Sequence, residues 1–432
     1  FLLGTLHLFN PVFLIIISVL PCLFLPVIII RIKPQLHLRP LICELSLFEK
    51  VLIGVIFVIF SLTFLTSFLP VTGGICNDEV HNHLSVPKEW LRSGGLDPLP
   101  YAVSYQAGNA HLLFLLSGIC SPESGPKLLS WFSFVLCVAV VYCLARLFLE
   151  RKVSLLAAAM VAINPLIFRG ASSAFVDGIS SLFIVTPALI CVLYMKCKDI
   201  SLIILCSLLL GTGCGTKPTN ILYAYSIVAC MSISFVKKEG AVPALKTAVI
   251  LSALAIVFSS PWMIRTFLLT GFPVFPPPLF WIEKFGIHSF ISSVQPFSSG
   301  EVHSFYDYCI SRYGEYTRNL SQLLRFPWDL TMTPERFQIG DSTGTLMLSF
   351  LPFIYLAGRA TPFFIPLAAA LSSVLIYTLL LPEARYYMGA FMLISPVIAK
   401  TVDALTKKHI VKNAVTVVLY GNLIFSLLVA SR

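Results

Sequence analysis

The sequence predicts an all-α protein, a polytopic transmembrane helix bundle of about 12 spans forming a single domain over residues 1–432. Three observations predict it. Hydrophobic residues make up 57% of the chain, mean hydropathy is +0.89 and charged residues are only 12%. Apolar runs close to the length that crosses a bilayer as a helix recur from end to end. Between them, basic residues cluster in alternate loops, as the positive-inside bias requires. The net charge of +10 is therefore a topological signal and no sign of nucleic-acid binding.

The apolar segments fall near 11–30, 48–70, 127–148, 153–169, 173–195, 200–214, 217–236, 247–267, 343–358, 361–381, 386–402 and 413–430. Arg31, Lys33, Arg39 and Lys50 precede the second span. Arg146, Arg151 and Lys152 follow the third, Lys196 and Lys198 the fifth, and Lys237, Lys238 and Lys246 the seventh. Arg359 follows the ninth, and Lys407, Lys408 and Lys412 follow the eleventh. If the spans alternate, every cluster lies on the cytoplasmic side. The twelve cysteines are scattered, mostly in apolar runs, without metal-type spacing, and read as small buried hydrophobes.

The other face receives a first outer loop at 71–126 and a long outer loop or lid at 268–342, both expected to carry interfacial helices. In the first, GGICNDEVHNHLSVPKEWLRSGG (73–95) breaks from an apolar run into polar chemistry. Asp78 and Glu79 are adjacent at the membrane edge, and His81 and His83 follow. A general base explains such a pair, with a metal or substrate contact left open; a solvated loop beside a membrane helix explains it equally simply. Like-charge coupling between Asp78 and Glu79 is expected to raise one apparent pKa. A short helix is predicted over 86–91, closed by Gly94-Gly95, and 109–119 reads as a re-entrant or interfacial helix. Tyr101 and Tyr105 read as interface aromatics.

Further along, Ser172 or Ser173 is positioned to cap the next span, and Asp177 lies just inside it, near the outer surface. GTGCGTKPTN (211–220) is a Gly-rich turn that allows close backbone approach and places Lys217 at a helix start, an anion-site pattern. It is not a P-loop, because no strand precedes it and the spacing fails. Pro261 is expected to kink the eighth span beside Trp262 and Arg265. LPEARYYMGAF (381–391) sets Arg385 and Tyr386 at the outer boundary, as an interface anchor or a phosphate contact.

These stretches carry a family resemblance. NDEVHNHLSVPKEWLRSGGLDPLP resembles the first periplasmic loop of bacterial membrane glycosyltransferases of the GT-C superfamily, and looks most like the dolichyl- or polyprenyl-phosphate-sugar transferases. It is similar to the protein O-mannosyltransferase and aminoarabinose transferase types. FRGASSAFVDGISSLFIV, GTGCGTKPTNIL, PWMIRTFLLTGFPVFP and PEARYYMGAF fit in order. The span at 11–30 departs from the pattern, whose members enter the first loop from their first helix.

The resemblance implies a membrane enzyme that moves a sugar from a polyprenyl-phosphate carrier to a glycan, lipid or protein hydroxyl, with inversion at the anomeric carbon. It implies catalysis at the non-cytoplasmic boundary, and the expected location is the bacterial inner (plasma) membrane with the site facing the periplasm. On this pattern Asp78 is the base with Glu79 beside it. Lys217, Arg265 and Arg385 would hold the lipid phosphate, and His83, Asp177 and Tyr386 would complete the substrate site. No cofactor follows, and a divalent metal is left open. The competing class is a transporter or flippase for a lipid-linked or glycan substrate, which calls for internal repeats and ions near the bilayer centre.

Overall fold

A computed structural model describes residues 1–12, 14, 45–71, 78–99, 102–275, 320–334, 343–360, 362–380, 383–407 and 412–430. Most of the expected span at 11–30 and of the long loop at 268–342 lies outside the described residues. After a short N-terminal turn (α1, Leu2–Thr5), α2 (Leu47–Thr66) is the first long apolar helix among the described residues. Ser46 and Glu49 form a reciprocal cap at its start, satisfying backbone N–H groups that the helix leaves unpaired. Glu49 also takes Arg151 at 2.7 Å, which ties this end of α2 to the start of the helix Arg151–Ala162.

The first outer loop is itself helical. A π-turn over Glu79–Leu84 runs into α3 (Ser85–Ser93), which ends at Gly94 with φ 77°, a conformation that favours glycine. A 3₁₀ turn (Ala102–Tyr105) and α4 (Asn109–Gly118) complete it. Tyr105 is fully buried, so it is a core residue of the loop and not the interface aromatic expected of it; Tyr101 lies outside the described residues.

The bundle follows as α5 (Ser124–Arg146), α6 (Arg151–Ala162), α7 (Pro165–Ala171), α8 (Asp177–Cys197), α9 (Ile200–Cys214), α10 (Thr219–Glu239) and α11 (Ala241–Thr270). Beyond the long loop come α12 (Leu320–Met332), α13 (Thr345–Phe350) with a 3₁₀ continuation (Leu351–Ala360), α14 (Phe364–Leu379), a 3₁₀ turn (Ala384–Tyr387), α15 (Met388–Thr406) and α16 (Lys412–Ala430). Six of the described helices are long and apolar enough to cross a membrane, and α6 with α7 makes a seventh bent by 67°. The expected span at 153–169 is therefore broken at Asn164, whose side chain caps α7 ahead of Pro165.

Hydrophobic burial orders these helices. The segment beginning at Ala384 and containing α15 is 72% buried and forms the axis of the bundle, while α2 and α11 are 22% and 17% buried and turn most of their apolar surface outward to lipid. Pro261 does not break α11, which runs through it as one helix of 30 residues. Gly211, in the last turn of α9, does what close approach requires. A Cβ on Gly211 would lie 2.5 Å from the Ala255 carbonyl oxygen, so α9 and α11 touch backbone to side-chain root. The expected serine cap of α8 is absent: Ser172 bonds back to the Arg169 carbonyl, and Asp177 supplies the acidic first turn instead.

Candidate active site at one end of the bundle

The expected site residues meet where α8, α10 and α15 begin. The 3₁₀ turn that carries Arg385 and Tyr386 is fixed from below, because the Tyr223 hydroxyl donates to the Tyr386 carbonyl at 2.7 Å and accepts from the Ala390 N–H. Ser180 and Asn220 bond twice across α8 and α10, one helical turn further along from Asp177 and Lys217. On the loop side, Asn109 caps the Gly-rich turn, donating from its amide to the Thr212 carbonyl and accepting from Trp262 Nε1. Rigid helix ends thus hold the polar groups.

Two carboxylate–cation pairs stand side by side. Asp78 Oδ2 accepts from Arg385 Nη1 at 2.5 Å, and its other oxygen accepts from Asn82. Asp177 Oδ1 accepts from Lys217 Nζ at 2.5 Å. The Tyr386 ring lies between the cations, 4.5 Å from Lys217 Nζ and 5.8 Å from the Arg385 guanidinium. Glu383, which the sequence reading did not single out, accepts from Arg385 Nε at 2.7 Å and is buried. Arg385 is thereby held at both ends of its guanidinium. Asp177 Oδ2 is buried without a hydrogen-bond partner among the described residues, so one acceptor of the pair stays open.

The electrostatics follow from this packing. Burial alone would raise the Asp78 pKa, but the neighbouring Arg385 and the Asn82 hydrogen bond outweigh it and hold the carboxyl well below the usual carboxylate range. This corrects the expectation that Glu79 would raise it: the dominant neighbour of Asp78 is a cation. Burial pushes His83 down to about 4, so its ring is neutral at pH 7. Burial also lowers Lys217, against the pull of Asp177.

His83 shares a 3.0 Å ring-to-ring hydrogen bond with His111, a second buried and neutral histidine that sequence reasoning missed. His83 also packs edge-on against Phe175, over which the Arg385 guanidinium lies at 5.9 Å.

Two expected members do not join this cluster. Glu79 is 2% exposed, and its Oε1 accepts from the backbone N–H of Ala174 at 2.6 Å. It fastens the π-turn to the strap that leads into α8. Arg265 donates to the Ser104 and Leu96 carbonyls at 2.8 Å each, and its guanidinium lies over Trp90 and Trp262. It clamps the first outer loop to α11, away from Lys217 and Arg385. Among the described residues no three His, Cys, Asp or Glu side chains are grouped to hold a metal ion, so the metal left open by the sequence finds no ligand set there.

Fold and cluster together define the class: an integral membrane protein built as an all-α bundle of apolar helices with a charged cluster at one end. Particular proteins share the fold. Residues 115–264 match the family model described as dolichyl-phosphate-mannose-protein mannosyltransferase, a segment that contains Asp177 and Lys217. The fold is similar to that of ArnT from Cupriavidus metallidurans bound to undecaprenyl phosphate, at 12% identity and TM-score 0.57, covering 85% of this chain and 62% of that one. The apo state of the same protein gives 13% identity and TM-score 0.52, with 85% and 61% covered. The apo oligosaccharyltransferase of Archaeoglobus fulgidus gives 12% identity, 88% and 54% coverage and TM-score 0.46. No curated protein matches the sequence. The chain spans about three-fifths of the length of the ArnT structures it matches.

Proposed function

We propose that this protein is an inverting glycosyltransferase that moves a sugar from a polyprenyl-phosphate carrier to a hydroxyl acceptor, at the non-cytoplasmic face of a bacterial inner membrane. The observation that carries the proposal is the packing of the Asp78–Arg385 pair beside the Asp177–Lys217 pair at one end of the bundle. Two cations next to each other match the charge of a lipid phosphate, and Arg385 offers the planar donor geometry that phosphate oxygens accept. An ArnT structure bound to undecaprenyl phosphate shares the fold and supports the choice of carrier. The alternation of basic loops supports the choice of face. The placement of these pairs at helix starts favours an enzyme over a transporter, whose coupling ions sit near the bilayer centre.

The chemistry follows from the pairing. In the free protein Arg385 keeps Asp78 a poor base. The arriving phosphate takes up the charge of Arg385 and Lys217, and the hold on Asp78 weakens. Asp78 then accepts the proton of the acceptor hydroxyl as that oxygen bonds to the anomeric carbon. The bond from that carbon to the phosphate oxygen breaks on the opposite side, and its electron pair leaves with the polyprenyl phosphate, stabilised by the two cations. Base and leaving-group contacts come from different elements, the start of the π-turn and the starts of α10 and α15. The acceptor is a glycan, lipid or protein hydroxyl.

The test is incubation of purified protein with radiolabelled polyprenyl-phosphate sugars and crude envelope acceptors. Transfer of label with release of polyprenyl phosphate supports the proposal. Label that stays on the carrier with every acceptor fraction, while the protein moves the intact carrier lipid across a vesicle membrane, replaces it with the transporter reading.

A further inference from the structure

A second polar site lies at the opposite end of the bundle. A cavity of about 160 Å³ opens where α2 and α6 start, α15 ends and α16 starts. Its lining is mostly apolar, with Phe48, Val402, Leu419 and Tyr420 among others, and it also includes Lys152, Lys412 and the Asp403 carboxylate. Below the mouth the apolar surface continues down α16, where Val417 is 72% and Ile424 58% exposed.

The charges around this cleft do not balance. Asp403 is already shared by Lys400 at 2.8 Å and Lys407 at 3.0 Å. Glu150 adds one opposing charge near Lys407. Glu49 is taken by Arg151. Lys152 rests over the Phe48 ring at 5.0 Å, and neither it nor Lys412 forms an ion pair among the described residues. Four lysines thus face two carboxylates around an apolar cleft at the cytoplasmic boundary. Basic pockets between membrane helices on the cytoplasmic side match anionic lipid headgroups, with the acyl chains following the exposed helix.

We propose that this cleft binds an anionic phospholipid of the inner leaflet, with its phosphate between Lys152 and Lys412 and an acyl chain along α16. The occupant is a lipid and not a free anion because most of the lining is apolar and runs on into the exposed apolar surface of α16. The site is remote from the outer cluster and uses none of its residues, so it stands whether or not the proposed transfer reaction is correct.

The experiment is native mass spectrometry of the purified full-length protein released from detergent, with added phosphatidylglycerol or phosphatidylcholine of the same acyl chains. Phosphatidylglycerol should be retained about tenfold more tightly, and the double variant Lys152→Gln/Lys412→Gln should remove that preference. Lys237→Gln/Lys238→Gln, which removes two lysines elsewhere on the same face, should leave it intact. Equal retention of the two lipids overturns the proposal, as does an equal loss in the control variant. Displacement of phosphatidylglycerol by millimolar inorganic phosphate also overturns it, because it makes the cleft a free-anion site.

Discussion

Lys217 and Asp177 give the sharpest test of how folding and chemistry share one set of charges. From sequence alone Lys217 reads as a cation at a boundary, whose removal weakens donor use and leaves stability alone. The structure changes that expectation. Lys217 is 12% exposed and Asp177 3%, and they pair at 2.5 Å. Lys217→Gln strands a buried carboxylate whose second oxygen already lacks a partner. Breaking a buried pair from one side costs about 3–5 kcal/mol, because the remaining charge is uncompensated. Asp177→Asn/Lys217→Gln removes both charges while keeping shape and hydrogen-bonding capacity, and should recover most of that loss. The assay is a double-mutant cycle on thermal unfolding in detergent, paired with donor saturation kinetics. The single variants should unfold well below the parent. The double variant should unfold near it, yet need roughly tenfold more donor, the loss of about 1.4 kcal/mol of phosphate contact. Singles as stable as the parent, or a double variant with normal donor saturation, would refute the reasoning.

Three further outcomes follow. Glu79→Gln keeps an oxygen for the Ala174 N–H and should hold turnover within a few-fold, whereas Glu79→Ala should cost about 1–3 kcal/mol of stability; a turnover loss in the Gln variant as deep as that of a missing base would make Glu79 the base. Acid should destabilise the protein through His83: its folded pKa, about 4, lies below the ordinary 6.5, so the unfolded chain binds the extra proton. Stability is therefore full above about pH 6.5 and falls by about 3 kcal/mol toward pH 4. Asp78 adds its loss only further into acid, since its folded value is depressed; His83→Asn should flatten the decline between 6.5 and 4 in a thermal-unfolding series, and an unchanged slope would count against it. Arg265→Lys keeps the charge but not the two-carbonyl bridge, so it should lower unfolding temperature while the folded fraction keeps its donor Michaelis constant; a shifted constant would return Arg265 to the phosphate site.

Much of the fold was legible because membrane helices announce themselves by length, apolarity and loop charge. The same signals are silent about breaks. Nothing in 153–169 but an Asn-Pro step marks the 67° bend between α6 and α7. At the site, Asp78, Asp177, Lys217, Arg385 and Tyr386 stood out because an ion at a membrane edge is costly unless partnered. Which partner each one takes is set by helix packing, and sequence spacing does not encode it. Glu79 and Arg265 looked equivalent to Asp78 and Arg385 in composition, yet the fold spends them on backbone groups of the first outer loop. Glu383 was visible two residues before Arg385 and gained meaning only once the 3₁₀ turn brought their side chains together. His111 sat in an apolar helix with no signal beyond its own identity.

The measurement that bears most directly on the proposed chemistry is turnover by Asp78→Asn on protein shown to bind donor lipid. Asn keeps the shape and one acceptor oxygen for Arg385 but takes no proton at neutral pH. Folding and donor binding should persist, and sugar transfer should fall by roughly 10²–10⁴-fold, the usual share of a general base. Near-normal transfer by that variant would contradict the account and leave Asp78 only as the anchor of Arg385.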